Sequence, residues 1–160
     1  RKQGGPPVAV VKGEDAVFSL AEVLDDRLYV LSNHQAPRYQ LFEVNPERPR
    51  REDWKLVIPE GQDILESVTA ATDQLVAVYL HDASARVAVF SRAGKPVREI
   101  ALPDLGTVSA VRGRHDQRDV FLAWSSFLAP TQVLRHELPT GKTAVWQKLR
   151  SPVDASPFTV

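Results

Sequence analysis

Leu28-Tyr29-Val30-Leu31, Leu75-Val76-Ala77-Val78-Tyr79 and Val120-Phe121-Leu122-Ala123-Trp124 are three apolar runs that begin 47 and 45 residues apart. Each is followed by an alternating run, at Tyr39 to Val44, Arg86 to Phe90 and Gln132 to Glu137, and then by another at Trp54 to Ile58, Pro96 to Leu102 and Thr143 to Trp146. An earlier run precedes each, at Ala16 to Glu22, Ile64 to Ala71 and Thr107 to Arg112. Four short strands in a unit of roughly 40 to 50 residues is the pattern of a β-propeller blade, a meander that cannot bury both of its faces alone. The expected fold class is therefore all-β, with about three four-stranded antiparallel blades and a leading strand at Val8 to Val11.

Turn chemistry falls between these runs, at Asp25-Asp26, Asn45-Pro46, His81-Asp82, Arg92-Ala93-Gly94-Lys95, Arg114-His115-Asp116 and Thr140-Gly141-Lys142, where hairpins need residues that bend the backbone. Pro37, Pro96 and Pro130 stand at strand starts or in connections, where a missing N–H costs no ladder bond. Asp63 to Thr69 has some helical character, but Val68 and Thr69 are β-branched and the repeat places a first strand there.

Composition adds bounds. The 160 residues, 43% hydrophobic, suffice to bury about two thirds of the unfolded surface. Lys plus Arg and Asp plus Glu both total 20, so no global field favours nucleic acid or an anionic membrane. Arg48, Arg50 and Arg51 form a basic cluster, but Glu47, Glu52 and Asp53 cancel it. No apolar stretch approaches the roughly 18 residues of a membrane helix, and Arg1 to Pro7 lacks the apolar centre of a signal peptide. Neither nucleic acid nor membrane is expected as a partner. The lack of cysteine excludes thiol chemistry and fits a reducing or an oxidising compartment. A cytoplasmic protein is expected, with the periplasm as the alternative. Methionine is absent even at position 1, from which the chain is expected to be a portion of a longer one; a ring of about 4 to 8 blades points the same way.

Catalytic patterns are missing. There is no Gly-x-Ser-x-Gly elbow. His34, His81, His115 and His136 lack metal-ligand spacing and read as solvated or turn-bonding residues at turns and strand ends. His81-Asp82 reads as a turn cap, because neighbours on a strand point to opposite faces. Asp25-Asp26 and Glu52-Asp53 read as solvated turns. No catalytic residue, cofactor or metal site is expected. Trp54, Trp124, Phe127 and Trp146 are assigned to blade packing, with Trp124 between neighbouring blades and Phe127 buried near the turn of the last one.

Leu31 to Val44, Val78-Tyr79-Leu80-His81-Asp82-Ala83, Gly94-Lys95-Pro96-Val97 with Leu102-Pro103, and Trp124-Ser125-Ser126-Phe127-Leu128-Ala129-Pro130 resemble, in order and spacing, the later propeller blades of the prolyl oligopeptidase family of serine peptidases. The resemblance runs from about Val11 to Val160. It implies the C-terminal part of a seven-bladed propeller that caps an α/β-hydrolase domain. That domain carries the Ser-Asp-His triad and cleaves short peptides after proline. The propeller would then gate the active site and filter substrates by size.

On this reading residues 1–12 end a preceding blade or form a linker, 13–61, 62–103 and 104–150 are blades, and 151–160 form a hinge toward a catalytic domain outside the chain. The hinge residues are Pro152, Asp154, Ala155, Ser156 and Phe158. The implied partners are the remaining blades, the hydrolase domain and, for the parent enzyme, short proline-containing peptides. The alternative is a piece of a propeller scaffold without activity, since a fold does not fix a function. Open blade faces carrying Val17 and Phe18 at one end and Val145 and Trp146 at the other predict that the isolated chain self-associates.

Overall fold

Period-two patterning resolves into twelve strands in the computed structural model, which describes residues 9–11 and 15–149. The first sheet holds β1 (Phe18–Leu24), β2 (Arg27–Ser32), β3 (Gln40–Val44) and β4 (Lys55–Ile58). The second holds β5 (Ile64–Ala71), β6 (Gln74–His81), β7 (Ser84–Ser91) and β8 (Pro96–Ile100). The third holds β9 (Thr107–Gly113), β10 (Asp119–Ser125), β11 (Gln132–Glu137) and β12 (Lys142–Lys148). Every ladder is antiparallel and joins strands consecutive in the chain, so each sheet is a four-stranded meander. A 3₁₀ turn at Arg51–Asp53 precedes β4. No helix among the described residues is long and apolar enough to cross a membrane.

The sheets stack face to face. Tyr29, Leu31 and Leu41 of the first sheet pack with Leu75, Ala77, Tyr79 and Ala88 of the second. From the other face of the second sheet, Val76, Val78, Val87 and Val89 pack with Val120, Leu122, Trp124 and Leu134 of the third. The second sheet is thus covered on both sides, and Leu75 to Tyr79 are buried without a break, as a two-sided strand requires. In the third sheet Val120, Leu122 and Trp124 are buried while Phe121 and Ala123 alternate toward the uncovered face. The first strands lie nearest one another, β1 against β5 and β5 against β9, which makes them the inner edge of an arc. Each carries a register shift, at Leu20/Glu22, Leu65/Ser67 and opposite Ala123/Trp124.

Tight turns enforce the hairpins. Asp25 and Asp26 take φ of 48° and 59°, and Asp82 and Ala83 take 42° and 62°, the left-handed pair that a two-residue hairpin matching the strand twist demands. Between the first and second sheets, Gly94 has φ +81° and a Cβ there would stand 1.7 Å from the Val57 carbonyl oxygen. Only glycine permits that approach. Arg92 of the same turn bonds Asp25 and donates to the Thr72 carbonyl.

Several expectations are corrected. Ala9 to Val11 carry no strand, and Val8 lies outside the described residues. His136 is not solvated: it sits within β11, 1% exposed, alternating inward with Leu134. Trp146 is 62% exposed, because it shares the uncovered face of the third sheet with Phe121, its ring 5.9 Å away edge-on. Trp54 caps the 3₁₀ turn ahead of β4 and is half-buried, its indole N–H bonded to the Pro49 carbonyl and its ring edge-on to Phe18 and Phe42.

Candidate functional site

A meander of four antiparallel strands enters and leaves at the same end. That end, here the upper rim, carries the turns after β2, β6 and β10, the links between sheets, and the end of β12. The lower rim carries the remaining hairpin turns, with Asp25, Asp26, Asp73, Arg92, Lys95, Arg114 and Asp116. Leu149 leaves β12 at the upper rim, its N–H bonded to the Thr131 carbonyl at 3.1 Å.

Between the second and third sheets this rim opens into a cleft of about 340 Å³, lined by Asp82, Ser84, Leu105, Gly106, Ser126 and Phe127 among others. Gly106 shapes its floor: a Cβ there would lie 2.4 Å from the Ser125 carbonyl and 2.7 Å from the Trp124 indole nitrogen. Trp124 fills the space beneath, 2% exposed, and its Nε1 is buried without a hydrogen-bond partner among the described residues. Phe127 does the opposite of what its hydrophobicity predicts. It is 99% exposed, because its loop is closed by local bonds that leave the ring outside. The Ser126 N–H donates to the Ala129 carbonyl at 3.0 Å. The Ser126 Oγ accepts from the N–H groups of Leu128 and Ala129 at 3.3 and 3.1 Å. Such Ser-centred turns offer the backbone an alternative to the sheet ladder. Leu105, 61% exposed, also lines the cleft.

An ionic cluster runs across the upper rim of the second sheet. Asp63, mostly buried, accepts from Arg86 Nε at 2.8 Å and lies 2.7 Å from His81 Nδ1. Arg86 also pairs with Glu99 and stands over the Tyr79 ring at 4.6 Å. The hydrogen bond to Asp63 and its charge raise the His81 pKa above 6.5, and the bond from His81 holds Asp63 below the ordinary 3.8. His81 Nε2 faces the Asp82 carboxylate at 3.7 Å. With both ring nitrogens turned to carboxylates, His81 is placed to hold a proton and not to take one from a hydroxyl. His34 pairs with Asp15 at 3.1 Å. His136 bonds Thr143 Oγ1 at 2.8 Å, and burial lowers its pKa. Among the described residues no three His, Cys, Asp or Glu side chains are grouped to hold a metal ion. Pro152, Asp154, Ala155, Ser156 and Phe158 lie outside the described residues.

The arc, with its inner edge of first strands and outer edge of fourth strands, is part of a β-propeller. Residues 1–149 match the model of the N-terminal β-propeller domain of prolyl oligopeptidase, and the chain belongs to that family. It is 28% identical over 141 residues to a prolyl endopeptidase of Elizabethkingia meningoseptica, covering 88% of this chain and 20% of the relative. A prolyl oligopeptidase of Omphalotus olearius is 29% identical over 124 residues, 76% of this chain and 16% of the relative. A structure from a study of two prolyl endopeptidases and their inter-domain dynamics superposes with a TM-score of 0.85 at 37% identity, over 91% of this chain and 22% of that one. Apo prolyl oligopeptidase B from Galerina marginata, at 21% identity and TM-score 0.78 over 92% of this chain and 22% of that one, shares the fold. The chain thus spans about a fifth of the length of these relatives.

Proposed function

We propose that the chain is the non-catalytic propeller portion of a serine endopeptidase of the prolyl oligopeptidase type, which cleaves short peptides after proline. The family match over residues 1–149 carries this reading. The propeller's part is to cover the active site of an α/β-hydrolase domain, exclude large folded proteins and move aside to admit small peptides. Domain motion of this kind can limit turnover. Residues 151–160, with Pro152, Asp154, Ala155, Ser156 and Phe158, are assigned the hinge.

Sequencing the gene beyond Val160 tests the reading. A Gly-x-Ser-x-Gly elbow followed by Asp and His is expected, with the full-length protein hydrolysing a prolyl reporter and the 160-residue chain alone leaving it intact, because acyl transfer needs nucleophile, base and oxyanion donors together. Turnover by the purified short chain, or a gene without the elbow, would overturn it; the latter outcome leaves the interaction scaffold. Size filtering is read separately, as cleavage that falls with peptide length and spares a folded protein with an exposed proline.

A further inference from the structure

We propose that the cleft beside Phe127 is the seat of an apolar segment of the catalytic domain in the same polypeptide, with Phe127 as the anchor that fixes the upper rim to that domain. The inference rests on the reading above and adds to it a defined contact. Three observations carry it. Phe127 is held fully in solvent by an ordered turn, with Ser126 N–H, Ser126 Oγ and the Ala129 carbonyl all committed to loop bonds, so its exposure is built in. Aromatic side chains, Phe among them, are enriched at protein interfaces, and one held out at the mouth of a cleft can anchor a partner there.

The lining of the cleft supplies the chemistry of the occupant. Leu105 and Phe127 offer apolar surface, Thr107 and Ser125 offer hydroxyls, those of Ser84 and Ser126 being engaged in their own turns, and Asp82 is the one charged side chain among the lining residues. A largely uncharged, apolar segment fits it, and a cationic or phosphorylated one gains little.

The course of the chain supplies the identity of the occupant. β12 runs up to this rim, and Leu149 is bonded to Thr131, at the end of the loop that presents Phe127. The relatives are about five times as long as the stretch they share with this chain. The rim bearing Phe127 is thus where the last described strand delivers the polypeptide, and on the reading above it is the side from which the chain continues to the catalytic domain.

The test uses the full-length polypeptide with p-benzoylphenylalanine at position 127, a site where a larger ring disturbs no packing. Irradiation followed by peptide mapping is expected to give a covalent product within one chain, joining position 127 to a catalytic-domain peptide outside residues 1–160. In the Phe127→Ser variant, amide exchange over residues 125–131 is expected to speed up several-fold relative to wild type. No crosslink, a crosslink confined to residues 1–160, or one to a second copy would overturn the proposal. Prolyl hydrolysis by the same material separates the two readings: active enzyme without the crosslink removes the anchor alone. A crosslink to another domain in protein lacking both the triad and the activity removes the catalytic partner.

Discussion

Trp124 and Phe127 stand three positions apart and make opposite predictions. Trp124 is the largest of the fully buried side chains, wedged between the second and third sheets, so Trp124→Ala is expected to cost about 3–5 kcal/mol. A urea midpoint that does not fall would contradict the packing. Phe127→Ala should change stability by no more than about 0.5 kcal/mol, since the ring touches only solvent in this chain. His81 gives a titration. Because Asp63 raises its pKa, His81 contributes stability that is complete below about 6.5 and is lost as pH rises through the raised value. Asp63, held below 3.8, contributes above that value and loses its share as pH falls through the lowered one. Both contributions are complete between roughly pH 4 and 6.5. Nuclear magnetic resonance of His81 should show an apparent pKa above 6.5 that drops in Asp63→Asn; an unchanged value would break the assigned pair. Residue-level legibility was uneven for physical reasons. Trp124 was readable because it continues an alternating strand. The inward turn of His136 was missed, although its place two after Leu134 and two before Leu138 carried the signal. Phe127 was not readable, because a Ser126 hydroxyl bonding its own loop overrides hydrophobicity and leaves no periodic trace.

At the scale of elements, the hairpin Arg92–Lys95 locks the second sheet against the first. Gly94→Ala forces a left-handed backbone on a residue with a side chain and drives its Cβ into the Val57 carbonyl. The expected loss is about 1–3 kcal/mol, measured as a lower melting temperature, while Gly61→Ala, with open space around it, should be mild. The strands themselves were largely written in the sequence. Asp119–Ser125 alternates as a half-covered strand must, and Leu75 to Tyr79 is unbroken because both faces of β6 are covered. The register shifts of β1, β5 and β9 were not written there, since an extra residue in a strand changes spacing by one and leaves composition unchanged. Nor did alternation tell which face of an end sheet is covered, which is why Trp146 lies on an open face.

Among the described residues, the outer faces of the first and third sheets have no further sheet packed on them. On the first sheet, Phe18, Leu20, Leu28 and Val30 line a shallow apolar groove together with Val10 and Val11. On the third, Trp146 is exposed and Phe121 half-buried beside it, with Arg135 standing 5.8 Å over the Trp146 ring. Open apolar faces of this kind associate. The isolated chain is expected to sediment as a dimer or larger species at micromolar concentration, and Trp146→Glu should shift it toward monomer. A compact monomer of the wild-type chain would show that these faces are tolerated in water.

Every backbone ladder stays within one meander, so sheet meets sheet through side chains, with links such as Leu65 N–H to the Arg38 carbonyl and Thr72 N–H to the Arg114 carbonyl. Mechanical compliance is therefore directional. Pulling along a strand strains a full ladder, whereas prising two sheets apart costs hydrophobic contact and a few bonds. A load on the arc opens it at its seams before any meander unravels.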